Sequence, residues 1–131
     1  MMASEKRWRD TNVFEDKQDA TFKTTVRIRQ NAWQAKFAAK CIRQTDVALT
    51  ISRTIYLSHS SPATFLQNKI WVAHELTHVE QFQRYGTFRF ILLYLGECLR
   101  KGYFHNKWEV AARTQQRQVE KIRNYRFILC P

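Results

Sequence analysis

A chain of 131 residues that is 44 % hydrophobic and 14 % aromatic can bury one compact core, and this length leaves little room for a second domain. With 22 Lys and Arg against 11 Asp and Glu, the formal net charge is +11, which favours anionic partners. No nucleic-acid-binding motif accompanies this charge, so we do not expect nucleic acid as the main partner, and an acidic protein partner stays open.

The cysteines and the composition of the N-terminal residues indicate the cellular compartment in which we expect the protein. The three cysteines are Cys41, Cys98 and Cys130, and no two of them form a Cys-x-x-Cys pair, which is typical of reduced thiols. The N-terminal residues contain cations but no apolar stretch of the kind found in secretory signals. We therefore expect a cytoplasmic protein without a membrane span, and export by a route that needs no signal stays open.

The beginning of the chain is predicted to be a charged tail followed by a strand. Residues 1–20 are highly charged and sparsely apolar, so we predict a mobile tail there and a single domain over residues 21–131. Between Phe22 and Arg29 every second residue is apolar or threonine, with polar or basic residues in between, and this period of two predicts a half-buried strand.

A helix is predicted next. Asn31 is a suitable N-cap, and the helix should extend to about Arg43. Trp33, Phe37 and Cys41 recur every four residues, so we expect them to form the apolar stripe that packs on the core.

Two short β-prone runs follow, over residues 47–51 and 54–57. Only Ser52 and Arg53 separate them, and this short spacing predicts a β-hairpin.

Ser61 and Pro62 together mark the start of another helix, with the serine as N-cap and the proline at the first helical position. The helical pattern continues to Tyr85 with a break near Asn68, and Gly86 should end it.

Two more helices complete the pattern. One should run from Phe88 to about Lys101, buried because of its apolar composition, and stop at Gly102. The other should run from Asn106 to about Arg123 with a solvated basic face.

The predicted elements together give an α+β fold. We expect a small antiparallel or mixed sheet of about three strands packed on about four helices. Residues 127–131 are apolar and should dock on the body of the domain or on a neighbouring subunit. Three tryptophans are expected to pack in the core: Trp33, Trp71 and Trp108.

The strongest chemical signal is the run His74-Glu75-Leu76-Thr77-His78. Histidines four residues apart project from the same face of a helix, one turn apart, and can hold one Zn²⁺ ion per chain. Glu75 is placed to reach a water rather than the metal, so it is the candidate general base of a zinc hydrolase. Apolar residues before and after the run indicate a helix buried in the core.

A catalytic zinc site needs a third protein ligand from elsewhere in the chain. We favour Glu109, near the start of the last helix, and Glu97 and His105 remain alternatives. Glu97 lies within the apolar helix, where a buried carboxylate needs a partner, so its expected role is to support the site or pair with an arginine. Tyr103 and His105 are the candidates for stabilising the transition state.

The run HELTHVEQFQRYG, followed by an apolar helix and then by GYFHNKWEVAAR, resembles the minimal gluzincin-type zinc-peptidase domains of bacteria. It is similar in particular to small domains whose site helix reads HELTHV-x-Q. The resemblance covers about residues 26–113 and implies a zincin-like fold, with His74, His78 and Glu109 as zinc ligands and Glu75 as general base. It also implies a peptide or protein substrate, held in an extended conformation near residues 54–57.

Two other functions stay open at this point. The same ligands could stabilise a non-catalytic binding module whose basic surface holds a partner. Alternatively, the histidine motif could be accidental in a basic protein that binds nucleic acid or a membrane surface. Zinc in the purified protein would argue against an accidental motif. An open coordination position on that zinc would favour the hydrolase over the binding module.

Overall fold

Residues 23–130 are described by the structure, a computed structural model, and the tail predicted for residues 1–20 lies outside them. The elements in chain order are β1 (Thr24–Arg29), α1 (Trp33–Ile42), β2 (Ala48–Ile51), β3 (Thr54–Leu57), α2 (Pro62–Gln67), α3 (Lys69–Tyr85), α4 (Thr87–His105), α5 (Lys107–Gln115), a 3-10 helix (Val119–Asn124) and β4 (Tyr125–Cys130).

The four strands form one mixed sheet in the order β2-β3-β1-β4. β1 is parallel to both of its neighbours, β3 and β4. Its residues Thr24–Arg29 pair with residues Tyr125–Cys130 of β4. β2 and β3 pair as the predicted antiparallel hairpin. Ser52 turns the chain between them with a φ of 59°, in the left-handed region that a tight hairpin requires.

The α+β prediction is confirmed, but the sheet has four strands rather than about three. The predicted last helix, from Asn106 to about Arg123, ends at Gln115, and the chain continues through the 3-10 helix into β4. Tyr125 and Phe127 are partly buried against the core while Arg126 and Ile128 are exposed, which is the alternation of a strand. The expected docking of residues 127–131 thus takes the form of strand pairing with β1 over the described residues.

The hydrophobic core lies between the sheet and α3. Alternate residues of β1 and β3 meet one face of α3, and Phe65 from α2 is buried with them. The fully buried set is Val26, Ile28, Ile55, Leu57, Phe65, Val72, Leu76 and Val79. Burial of these side chains fixes α3 against the sheet, and at about 25 cal/mol per Å² it is the main stabilising contribution to the fold.

The apolar stripe expected for α1 faces solvent, and that prediction was wrong. Trp33 is 73 % exposed, and Phe37 and Cys41 are exposed as well. The helix buries Ala35 and Ala39 instead, because their small side chains let it lie close to the sheet. Its N-cap residue is Ala32, since the predicted cap, Asn31, has a left-handed φ of 53°.

The prediction of a buried helix over the apolar run was also wrong for most of α4. Phe90 and Glu97 are buried, but most of the leucines point to solvent. Gly102 interrupts the helix as predicted, because its φ of 80° and ψ of 170° are not helical, and a short second segment then extends to His105. None of the helices in residues 23–130 combines the length and apolar composition needed to cross a bilayer.

The other two tryptophans lie closer to the core. Trp71 packs edge-on against Phe65, with ring centroids 5.0 Å apart. Trp108 packs against Phe90 and Tyr85 at 5.2 and 5.3 Å, so it joins α5 to α3 and α4. Both are partly buried, which agrees with the packing role predicted for them.

Candidate metal centre

The site helix α3 is separated from α2 by one residue, Asn68, where the sequence predicted a break. The side chain of Asn68 accepts a hydrogen bond from the backbone N–H of Trp71 and so caps the new helix. The helix then continues without interruption to Tyr85, which places His74 and His78 one turn apart on the same face.

Glu109 is positioned by the start of α5. The buried side chain of Asn106 accepts a hydrogen bond of 2.8 Å from the backbone N–H of Trp108, which confirms Asn106 as the predicted N-cap. Glu97 accepts a second bond, of 3.1 Å, from the backbone N–H of Lys107. These two caps fix the first turn of α5, and Glu109 lies in that turn.

The three predicted ligands meet in the fold. Nε2 of His74 lies 3.1 Å from Oε1 of Glu109, and Nε2 of His78 lies 3.1 Å from Oε2 of the same carboxylate. One ligand atom from each residue lies within 4.8 Å of the other two. Glu109 and His78 are buried and His74 is nearly so, which gives a compact set of two imidazoles and one carboxylate.

Two glutamines form hydrogen bonds with the Nδ1 atoms of the imidazoles, while the Nε2 atoms face Glu109. Nδ1 of His78 lies 2.9 Å from Oε1 of Gln81, and Nδ1 of His74 lies 3.0 Å from Oε1 of Gln116. The amide nitrogen of Gln81 donates to the backbone carbonyl of Trp108, which orients the amide so that its oxygen faces His78. Because an amide oxygen only accepts, each Nδ1 carries its proton, and each Nε2 is left to bind a ligand.

The charges of His78 and Glu109 shift each other's pKa. Burial lowers the pKa of His78, but the Glu109 carboxylate outweighs burial and raises that pKa to about 9. Burial raises the pKa of Glu109, but its hydrogen bond with His74 and the nearby imidazole of His78 bring that pKa well below the ordinary range. A metal ion must therefore displace a proton from the imidazoles when it binds.

Tyr94 is a contact of the cluster that the sequence did not reveal. Its hydroxyl donates a hydrogen bond of 2.5 Å to Oε2 of Glu109. Its ring packs edge-on against His78, with centroids 6.3 Å apart. Burial and the Glu109 carboxylate raise the pKa of Tyr94, so it remains a neutral donor.

Glu75 lies beside the histidines and faces β2. The hydroxyl of Thr50 donates a hydrogen bond of 2.7 Å to Oε1 of Glu75, and both side chains are buried. Burial raises the pKa of Glu75 above its ordinary value. One carboxylate oxygen is thus held by the strand, and the carboxyl group lines a cavity together with His78 and Glu109.

That cavity is an apolar cleft of about 400 Å³ between α1, β2 and α4. Two of the three metal-ligand candidates, His78 and Glu109, line this cleft, and every residue of β2 contributes to one wall. The opposite walls are mostly apolar, with Phe37 from α1 and Ile91 and Leu95 from α4. A molecule that reaches Glu75 must pass between these apolar surfaces.

We expected residues 54–57 near the substrate edge of the sheet, but these residues form an interior strand. β3, which those residues form, pairs on both sides with β1 and β2. β2 is the edge strand of the sheet among the described residues, and it is β2 that contacts Glu75 and lines the cleft. The two strands form one hairpin, and a sequence does not show which arm of a hairpin is outermost.

The remaining candidate residues divide into one that lies at the site and two that do not. Tyr103 lines the cleft, and burial together with Glu109 and Glu75 raises the pKa of its hydroxyl. His105 is exposed, and its ring packs edge-on against that of Phe104. Glu97 is buried, as expected, and pairs with Arg100 at 3.4 Å, but it caps α5 rather than touching either histidine.

The arrangement of donors suits Zn²⁺. Two neutral imidazoles and one carboxylate form a common catalytic zinc ligand set. Nε2 of His78 is buried and has no hydrogen-bond partner of good geometry, although Glu109 lies 3.1 Å away. A buried polar atom of this kind is normally satisfied, and a metal ion between His78 and Glu109 would satisfy it.

Comparison with known families adds one finding. The model of the eCIS core domain, the core domain of extracellular contractile injection systems, matches residues 11–86, more than half of the chain. This chain belongs to the eCIS core domain family. No curated protein and no solved structure matches it.

The matched part of the eCIS core domain contains one half of the site. Both histidines, Glu75, Thr50 and Gln81 lie within residues 11–86. The other contributors to the cluster follow the matched part: Tyr94, Glu109 and Gln116. The family match therefore covers the site helix and the sheet strands β1 to β3, while α4 and α5 complete the cluster from outside it.

Proposed function

We propose that this eCIS core domain is a zinc-dependent hydrolase, most simply a small metallopeptidase with Glu75 as its general base. The observation that carries the proposal is the convergence of His74, His78 and Glu109, with each imidazole held at Nδ1 by a glutamine. The gluzincin-type pattern of the sequence supports the same ligand set and the same base.

When bound at these ligands, Zn²⁺ would polarise the scissile carbonyl and lower the pKa of a water to about 7. Glu75 then takes the proton of the attacking water and later transfers it to the leaving amine. Thr50 holds one oxygen of Glu75, so the other oxygen is available for proton transfer. Tyr103, in the cleft wall, is the candidate donor to the developing oxyanion.

The proposed substrate is a peptide in an extended conformation. In the described part of the chain β2 pairs with one neighbour, β3, which leaves its outer edge available for backbone hydrogen bonds with a peptide strand. Side chains of such a peptide would enter the apolar cleft between α1 and α4. The membership in a family of injection-system domains supports a protein as the natural target.

A second candidate function is a zinc-stabilised binding module without catalysis. It is favoured by the net charge of +11 and by the apolar residues that α1 and α4 leave exposed. In that case the metal would hold α3 to α5 and contribute to folding rather than to chemistry. The two candidates share their ligands and differ in the role of Glu75.

The first experiment is elemental analysis of the purified, tag-free protein beside three variants. We expect about one zinc per chain in the wild type and in Glu75→Gln, and little in His78→Ala. His105→Ala is the matched control, because this histidine is exposed and lies away from the cluster. Absence of zinc from the wild type, even after refolding with the metal, would overturn both candidate functions.

Hydrolysis of a quenched-fluorescence peptide library then separates the two candidates. The wild type should cleave at least one peptide, and Glu75→Gln should lose that activity while it keeps its zinc. A zinc-loaded wild type that cleaves no peptide, or a fully active Glu75→Gln, would contradict the proposed hydrolase. The first of these outcomes would favour the binding module.

A further inference from the structure

The exposed face of α4 carries a continuous row of large apolar side chains. We call it the α4 stripe, and it consists of Phe88, Leu92, Leu95 and Leu99, which are 84, 71, 52 and 90 % exposed. Monomeric proteins seldom present so many large apolar side chains in one contiguous patch unless the patch binds something. The stripe is therefore a candidate interaction surface.

The spacing of the stripe suits a partner helix. Its members are four, three and four residues apart, so at about 100° per residue they lie within a sector of about 60° on one side of α4. The row is about 16 Å long, which is three helical turns. Gly96 lies beside it and has open space where a Cβ would point, so a neighbouring helix can approach closely there.

Charges along one flank of the stripe indicate the chemistry of that partner. Arg89 and Arg100 project on the same side of α4, close to the stripe. Glu97 is the single acidic residue of α4, and it is buried, bonded to the backbone of Lys107 and 3.4 Å from Arg100, whose side chain stays 71 % exposed. No carboxylate of residues 23–130 is close enough to Arg89 to form an ion pair with it.

We propose that the α4 stripe binds an amphipathic helix of another protein, whose apolar face is flanked by acidic residues. A second copy of this chain is a poorer occupant, because it would bring two more arginines and no exposed acid on its own α4. An acidic helix would cover the leucines and place its carboxylates beside Arg89 and Arg100.

The α4 stripe lies beside the cleft, so a helix bound to the stripe would also lie beside the cleft. Leu95 belongs both to the stripe and to the cleft wall that α4 provides. A helix on the stripe would thus lie along one side of the entrance to the candidate metal centre. This inference does not depend on the metal or on hydrolysis, since the stripe is described by its own exposure and charge.

The test uses two stapled helical peptides of about 18 residues, long enough to cover the stripe. Both carry leucines at intervals of four, three and four residues, and their flanking positions are glutamate in one peptide and lysine in the other. We expect the full chain to bind the glutamate peptide at least about tenfold more tightly by fluorescence anisotropy at low salt.

Variants of the chain locate the binding surface. Leu92→Ser combined with Leu99→Ser should weaken binding of the glutamate peptide by about tenfold or more, while Leu129→Ser, at an exposed position of β4, should leave it unchanged. Arg89→Glu should reduce the preference for the glutamate peptide over the lysine peptide. Unchanged thermal melting of each variant would show that folding is retained, because these positions are exposed.

Several outcomes would overturn the proposal. Equal affinity for the two peptides, or no binding of either, would remove the acidic helix as the occupant. A dimer seen by analytical ultracentrifugation and lost in the double serine variant would assign the stripe to a second copy instead. Co-sedimentation with phosphatidylglycerol vesicles that is lost in the same variant would assign it to a lipid surface.

Discussion

The hydroxyl of Tyr94, on α4, donates a hydrogen bond of 2.5 Å to the carboxylate of Glu109. A phenol in this position holds the carboxylate in one orientation and stabilises its ionised form. Loss of such a contact to a metal ligand typically weakens metal binding by 10- to 100-fold.

We accordingly expect Tyr94→Phe to lower the zinc affinity by about tenfold, measured by competition with a chromophoric chelator. Tyr85→Phe is the matched control, because the Tyr85 ring also packs against Phe90 but its hydroxyl has no partner in the described chain. Equal affinities in the two variants would mean that Tyr94 serves packing alone.

Gln81 should have a comparable effect through His78. Its amide oxygen accepts from Nδ1 of the imidazole, so Gln81→Leu removes the group that fixes the proton on that nitrogen. We expect the zinc affinity of Gln81→Leu to fall by about tenfold or more, and that of Gln81→Glu to fall less, because a carboxylate still accepts from Nδ1 although it loses the bond to the Trp108 carbonyl. If both variants lost affinity equally, the bond from Gln81 to Trp108 would matter more than its role as an acceptor.

Thr50→Val should destabilise the metal-free protein through Glu75. The substitution keeps the shape of the side chain but removes the donor to a buried carboxylate, which costs about 1–3 kcal/mol of unfolding free energy. The measurement is urea denaturation at neutral pH. In a Glu75→Ala background the same substitution should cost much less, and an equal cost in both backgrounds would contradict a coupling between the two residues.

The alternation of β4 can be tested with two alanine substitutions. Phe127 packs against the core, so Phe127→Ala should lower the free energy of unfolding by about 2–3 kcal/mol. The adjacent Ile128 is exposed, and Ile128→Ala should cost less than about 1 kcal/mol. Equal effects in chemical denaturation would be inconsistent with a strand that buries one face.

Local signals in the sequence predicted the elements that carry them. The hairpin, the break at Asn68, the start of α2 at Pro62 and the cap at Asn106 are all confirmed. Each depends on a few neighbouring residues whose backbone preferences are strong. The cluster of both histidines with Glu109 was also predicted, because the helical spacing of the motif fixes two of its members.

Features that depend on distant parts of the chain were not predictable in the same way. The basic residues before Tyr125 fit the solvated face of a helix, and it is pairing with β1 that makes the following segment a strand. Periodicity shows that a helix has an apolar face, but not whether another element packs against that face. The exposure of Trp33 and of the α4 stripe could therefore not be predicted. Tyr94 and Gln116 reach the histidines only through the fold and have no sequence motif.

The position of β1 between β3 and β4 has a consequence for synthesis of the chain. β4 follows β1 by about 100 residues, so at 5–20 residues per second a ribosome needs roughly 5–20 s to supply the second neighbour of β1. During that interval one edge of β1 stays open, and Val26 and Ile28 lack part of their eventual cover. Closure of the sheet is therefore a late event in the folding of a nascent chain, because it requires the pairing of strands far apart in sequence.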